Sequence, residues 1–429
     1  MRKILSLTLG LLPGFLFAQN WSTLGLGTNQ AVTSLSIDDN ETNLFVGGHF
    51  DNAGVVVASK LANWDGGNWT DLGADLDYPV HATAYIDSKL YVGGEFLNAS
   101  GSTATRIAVL DNGTWTTLGN GLQASVNTII SFNNEIYAGT LTGLYKWNGS
   151  TWVDMSLSGN PYAIVTDMAI FQGELIVVGA FAQAGGTTVN GLAKWNGTAW
   201  SSIGSGANNL IDDIQIWNNE LYIGGLFTSI NGIAASGLAK WDGSAIQAVG
   251  TGVPVVTIGF PNRVSAMEVY NGELYVGGYF QSIDGVSASN IASYDGTTFS
   301  PLGLGTNEAI YAMREFQNEL IVGGLFTQAG GQSASYVAKW SGTAEISEND
   351  PAGISLYPVP TKNVLVIETR DMNINRYTIV SAAGKLVRES DEIIDKKMSI
   401  SMMGEEAGVY FITLNTTDGF TLTRRFIKE

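Results

Sequence analysis

One phrase of seven residues, LYVGGYF at 274–280, occurs in seven versions along the chain, and no other feature restricts the possible folds so severely. The remaining copies are LFVGGHF from Leu44, LYVGGEF from Leu90, IYAGTLT from Ile136, LIVVGAF from Leu175, LYIGGLF from Leu221 and LIVGGLF from Leu320. In step with them, an aromatic or apolar residue opens a further short strand: Trp21, Trp69, Trp115, Trp152, Trp200, Ile246 and Phe299, spaced by 48, 46, 37, 48, 46 and 53 residues. A period in this range belongs to arrays and propellers, in which one unit cannot bury its apolar face alone.

Each unit reads as four short strands. In the sixth, 264–270 alternates as a first strand, Asn271-Gly272 supplies the positive φ of a tight hairpin, and 274–280 is the second strand. A loop through Asp284-Gly285 leads to a third strand ending at Tyr294, and Asp295-Gly296 turns the chain into a fourth at Phe299. The equivalent third-to-fourth turns are Asp65-Gly66, Asn112-Gly113, Asn148-Gly149, Asn196-Gly197 and Asp242-Gly243. The first fourth-strand segment, 21–24, precedes every complete set, and the last set, ending at Trp340, has none after it. A ring in which 21–24 completes the last blade resolves both oddities and removes free sheet edges. The expected fold is therefore all-β: a seven-bladed β-propeller with a shared closing blade over 19–343, then a small C-terminal β-sandwich.

The paired glycines fall in the second strands, where a missing Cβ permits close backbone approach or a bulge between packed sheets. A phosphate-binding use would need a helix N-terminus after them, and none is apparent. Phe50, Phe96, Phe181, Phe227, Phe280 and Phe326, which follow them, are expected to fill the space between blades. The V-G-G-x-F and L-A-x-W/Y-D-G-x-x-W segments resemble kelch-like propellers and the propeller repeats of fungal cortical polarity-marker proteins. That resemblance implies the fold and leaves function open.

Residues 344–353 break the repeat with acidic, Pro and Gly residues and read as a linker. From 354 to 429 the pattern changes to alternating strands with hairpin turns. The YPVP of Tyr357, Pro358 and Pro360, the GKLV from Gly384, the GVYFI of Gly408 and Tyr410, and a basic end of Arg424, Arg425 and Lys428 occur in order. This segment resembles the type A C-terminal sorting domain of the type IX secretion system of Bacteroidota. The resemblance implies recognition by that secretion machinery and release or attachment outside the cell. At the other end, Arg2-Lys3, the apolar run 4–17 and Ala18 have the zones of a secretory signal peptide, so 1–18 is expected to be removed. No later stretch reads as a transmembrane helix.

Charge separates the same regions. Residues 19–353 carry 9 Lys+Arg against 29 Asp+Glu, whereas 354–429 carry 10 of each. So negative a field repels phosphate backbones, which disfavours nucleic acid as a partner. With no cysteine there is no disulfide framework, thiol nucleophile or Cys-ligated metal.

Loops that differ between repeats are where a binding site is expected. The second-to-third loops and the connections between blades share one face, with Asn29, Tyr78, His81, Asn160, Tyr162, Asn208, Phe260, Asn262 and Asn307 as candidates. The longest connection, 250–262, would form a wall, and the loss of the second-to-third loop at 140–143 a notch. On the innermost strands, Asp167 and Asp213 align, with Glu268 two residues beyond the matching position, so a hard cation such as Ca²⁺ is one candidate ligand there. No other cofactor is expected. Two histidines, His49 and His81, give little material for catalysis, and three scattered arginines, Arg106, Arg263 and Arg314, do not make a carboxylate clamp. The resulting expectation is a secreted or cell-surface propeller that binds an extracellular carbohydrate or protein without catalysis. The alternative is a polysaccharide hydrolase or lyase using Asp77, Asp213 or Glu268 as acid and base.

Overall fold

Asn/Asp-Gly turns and period-two alternation produce short antiparallel strands throughout, and the described residues contain no helix. The computed structural model describes residues 20–159, 162–254, 261–341, 354–357, 361–369, 374–381, 385–390, 397–416 and 421–428. The segment 1–18, the linker 344–353, and Asn160, Phe260, Pro358, Pro360 and Gly384 lie outside them. The chain divides into two units, Met1–Gly342 and Thr343–Glu429.

The first unit is β-propeller-like. Among its described residues are seven four-stranded antiparallel sheets, six of them running in sequence order from an inner to an outer strand, as in Arg263–Tyr270, Glu273–Tyr279, Ile291–Tyr294 and Phe299–Pro301. Counting sheets by their inner strands from Val32–Ile37 onward, the seventh draws its outer strand from the chain's start: Asn20–Thr23 pairs with Val337–Ser341, Trp21 opposite Trp340. The inner strands of successive sheets lie side by side, and Ile310–Phe316 of the seventh also neighbours Val32–Ile37 of the first.

The glycine pairs act between sheets. A Cβ on Gly47 or Gly93 would lie 2.5 Å from Cγ1 of Val80 or Val126 on the next inner strand, and one on Gly323 would meet Val32 in the same way. The second glycine of each pair faces backbone instead: a Cβ on Gly48, Gly94, Gly278 or Gly324 would strike the carbonyl oxygen of Ala31, Pro79, Arg263 or Ala309. Phe50, Phe96, Phe227, Phe280 and Phe326 are fully buried beside these contacts.

Indole groups tie five of the seven sheets to the one before. Trp69 Nε1 donates to the Leu24 carbonyl at 3.0 Å, Trp115 to Leu72 at 2.9 Å, Trp152 to Leu118 at 3.2 Å, Trp200 to Met155 at 3.0 Å and Trp21 to Leu302 at 3.0 Å. Ile246 and Phe299 occupy the same strand-opening position without a donor. A tryptophan here thus adds a hydrogen bond to its packing.

A bulge interrupts every inner strand at the same place, between Val32 and Ser34, Val80 and Ala82, Val126 and Thr128, and so on to Ile310 and Ala312. Such a bulge re-aims one side chain. In four sheets it sends a polar group to the next inner strand: Thr33 Oγ1 donates to Val80 O at 2.6 Å, Asn127 Nδ2 to Val165 O at 2.9 Å, Thr166 Oγ1 to Ile211 O and Ser265 Oγ to Ile310 O, both at 2.7 Å.

The second unit packs two sheets over one core that includes Leu365, Ile367, Ile379, Ile400, Met402, Ile412 and Leu414. One sheet orders Ile354–Tyr357, Val364–Thr369 and Lys397–Ser401; the other orders Leu386–Ser390, Ile374–Ser381, Gly408–Thr416 and Thr421–Lys428. Of the expected sorting residues, Tyr357 pairs with Val366, Gly408 with Lys428, Tyr410 with Phe426, Arg425 with Phe411 and Arg424 with Ile412. The Tyr410 hydroxyl donates to Glu406 O at 2.7 Å.

Candidate functional site

Where six sheets insert a two-stranded hairpin between their second and third strands, the third turns directly through Thr140–Gly143. The missing hairpin leaves a groove of about 580 Å³ lined by Tyr78, Glu95, Leu97, Arg106, Ala124, Ser125, Leu141, Thr142, Tyr162 and Ile164. Tyr78 and Tyr162, from the connections entering the second and fourth sheets, are 51% and 61% exposed, and Leu97 and Leu141 also stand in solvent. Large apolar side chains held in solvent around one concavity are the usual anatomy of a binding surface.

The polar groups of the groove are few. Glu95 Oε1 lies 3.2 Å from His81 Nε2. Arg106 Nη1 donates to the Leu122 carbonyl at 3.1 Å. Ser125 Oγ is buried with no partner among the described residues. Glu95 is the one carboxylate among the described lining residues.

The other loop candidates are placed differently. Asn29 accepts from the amides of Asp51 and Asn52, Asn208 from Thr228 and Ser229, and Asn307 from Thr327 and Gln328, all at 2.9–3.0 Å. Each stands eight residues after a strand-opening aromatic and holds the hairpin of its own sheet. Asp77 occupies the same offset and accepts from the amides of Leu97 and Asn98 at 2.8 and 3.1 Å. Burial pushes the Asp77 carboxyl up, but these bonds outweigh it and hold the group below the usual range. Asn262 donates to the Pro254 carbonyl at 2.9 Å and lines a separate cleft of about 40 Å³.

His81 is not in a loop. It sits at the bulge of the inner strand Val80–Ile86, because the strand begins directly after Pro79. Its ring packs edge-on to His49, 5.6 Å between centroids. Burial, then the neighbouring His81, lowers the pKa of His49.

The inner-strand acids form a row across adjacent sheets. Asp167 accepts from the Ile214 amide at 3.1 Å, and its carboxyl, interacting with Asp213, is pushed up to about 6 by burial. Asp213 is raised well above its ordinary range by burial and then by Asp167, and its Oδ2 is buried without a partner among the described residues. Asp212, at the bulge, takes both ends of the Arg263 guanidinium, Nε at 2.9 Å, yet burial outweighs that attraction and moves it to about 6. Glu268 is moved to about 7 by burial, opposed by Arg314 at 3.9 Å. Among the described residues no three His or acidic side chains converge as a metal-holding group. Carboxyls crowded in this way lower their energy by sharing or retaining protons.

Two family models match separate parts of the chain, one within each unit. Residues 17–176 match the Rax2 C-terminal beta propeller domain, and residues 355–429 match the secretion system C-terminal sorting domain. No curated protein matches the chain. Among solved structures, the extracellular domain of a one-component system from B. thetaiotaomicron is similar at TM-score 0.51 and 15% identity, over 93% of this chain and 52% of that one. The extracellular domain of a hybrid two-component system from the same organism aligns at TM-score 0.49 and 12% identity, over 93% and 56%. The chain spans about half the length of these two structures. The protein is thus a β-propeller with a type IX secretion sorting tail, secreted or held at the cell surface. No helix of the described residues is long and apolar enough to cross a membrane.

Proposed function

We propose that the protein is a non-catalytic binding module, exported through a leader at 1–18 and the sorting tail, whose groove at the third sheet engages an extracellular carbohydrate or protein. The scaffold is one ring of seven blades closed by Asn20–Thr23. The pairing of Trp21 with Trp340, the neighbouring of the seventh and first inner strands, and the seat of Val32 against Gly323 support that closure.

The observation that carries the binding reading is the pair of solvent-facing tyrosines, Tyr78 and Tyr162, at a notch made by the loss of a hairpin that six other sheets keep. The repeat supplies rigidity, and the departure from it supplies a shaped surface. The three carboxylates named for hydrolysis are not among the groove's described lining residues: Asp77 is bonded into a hairpin, and Asp213 and Glu268 belong to the inner-strand row.

The test is an array of extracellular glycans and surface proteins probed with the full chain and with Tyr78→Ala/Tyr162→Ala. Signal lost in the double variant, at unchanged melting temperature, is the expected result. Binding that survives the double variant, or turnover of a polysaccharide, overturns the reading.

A further inference from the structure

Resting on the groove as the ligand site, we infer that it takes an oligosaccharide ending in a single carboxylate-bearing sugar, such as a uronate. The cation inventory carries this. The stretch 19–353 has nine Lys and Arg residues among 29 acids. Eight of the nine have a carboxylate partner among the described residues: Lys60, Lys89, Lys146, Lys194, Lys240, Arg263, Arg314 and Lys339. Arg106 is the exception, and it is the cation that lines the groove. Among the described residues its guanidinium makes one hydrogen bond, from Nη1 to Leu122 O, which leaves donors of a planar fork suited to a carboxylate.

The rest of the groove selects a sugar over a peptide. Tyr78 and Tyr162 offer exposed ring faces, which stack on the C–H faces of a pyranose. A peptide adding as a β-strand would need a free edge, but the turn at the notch is closed: the Leu141 amide already donates to Ser125 O at 3.1 Å. Charge limits the ligand to one acid. A chain of net charge −18 repels a polyanion, whereas one guanidinium neutralises one carboxylate.

Arg106 has a φ of +65°, and Asn290 at +66° occupies the matching place in the sixth sheet, so Arg106→Asn keeps a residue type this backbone accepts. Gly191 and Gly237 stand there in the fourth and fifth sheets, which makes Arg106→Gly a second variant if the first fails to fold. Calorimetric titration of the full chain would compare a glucuronate-terminated disaccharide, its glucose counterpart and an acidic peptide at physiological salt. The expected result is about tenfold or greater preference for the glucuronate, erased by Arg106→Asn and partly kept by Arg106→Lys. Equal affinity for the two sugars, a preference that survives Arg106→Asn, or peptide binding in place of sugar overturns the inference. In those three cases the groove reading stands as long as Tyr78→Ala/Tyr162→Ala abolishes binding. Binding of neither sugar overturns the inference directly, and binding that ignores both tyrosines overturns both claims.

Discussion

Replacing Glu268 by Gln is expected to stabilise the protein at neutral and alkaline pH. The Glu268 side chain is 13% exposed, and its carboxyl sits near pH 7 instead of its ordinary 4.5. A carboxyl raised in the folded state favours folding fully below 4.5, and that benefit is lost as pH climbs through about 7. Integrating the shift, the ionised folded state is penalised by about 3 kcal/mol at about pH 8 and about 1 kcal/mol at about pH 5. Glutamine has the same shape, can still accept from the Glu315 amide, and carries no charge to desolvate. Arg314 loses a partner at 3.9 Å but is 42% exposed, so solvent absorbs most of that loss. At about 2 °C per kcal/mol, the melting temperature of Glu268→Gln should exceed that of the parent by about 6 °C near pH 8 and by about 2 °C near pH 5. Differential scanning fluorimetry at the two pH values, each with calcium and with chelator, reads this out. A shift independent of pH refutes the proton argument. Loss of stability near pH 8 that chelation reproduces in the parent would mean that a cation occupies the acid row.

Four further outcomes follow from the repeat. Trp115→Phe keeps the ring and removes the bond to Leu72 O, so it should lower stability by about 1 kcal/mol in denaturant titration. Gly93→Ala forces a Cβ against Val126 and should cost about 1–3 kcal/mol, measured in the same way, with ligand binding intact. Asn208→Ala removes acceptors for Thr228 and Ser229 and should loosen that hairpin by about 1–2 kcal/mol, visible as faster amide exchange confined to it, with no change in glycan or protein binding. Below about pH 3 stability should fall again, because Asp38, held low by Asn43 and Thr42 against the push of burial, and Asp77 lose their hydrogen-bonded charge on protonation. A melting curve still rising there would refute that assignment.

Much of the scaffold was legible because it is repeated. Seven copies of a strand pair with Asn/Asp-Gly turns reveal the unit even where one copy, such as IYAGTLT, has decayed. The packing role of the glycine pairs and of the phenylalanines after them was readable as well, since only small residues let sheets approach. The hairpins between second and third strands were not foreseen: two-residue strands such as Asn98–Ala99 and Ser102–Thr103 are too short to alternate. The common bulge escaped for a different reason. A bulge changes register without a fixed residue type, and the side chains it re-aims are Thr, His, Asn, Asp, Ser and Tyr in different sheets.

For the site, variability between loops was the wrong filter taken alone. Asn29, Asn208 and Asn307 lie in loops but keep a fixed offset from the strand-opening aromatic, and a fixed offset marks a residue serving the repeat. Tyr78 has no such counterpart at nine residues from the aromatics, where Gln30, Asn209 and Glu308 stand, and it is the one that reaches the groove. The same rule applied to charge points to Arg106. Its equivalents Lys60, Asn290 and Tyr336 are each engaged within the scaffold: Lys60 by Asp51, Asn290 by Phe280 and Thr306, and Tyr336 in a core cluster. Arg106 makes to Leu122 O the bond that Asn290 makes to Thr306 O, and its guanidinium has further donors that take no partner among the described residues. In a repeat protein the lattice of equivalent contacts predicts what each position owes to the fold. A polar side chain with donors beyond those the lattice uses, standing beside a gap in the lattice, can then serve a ligand.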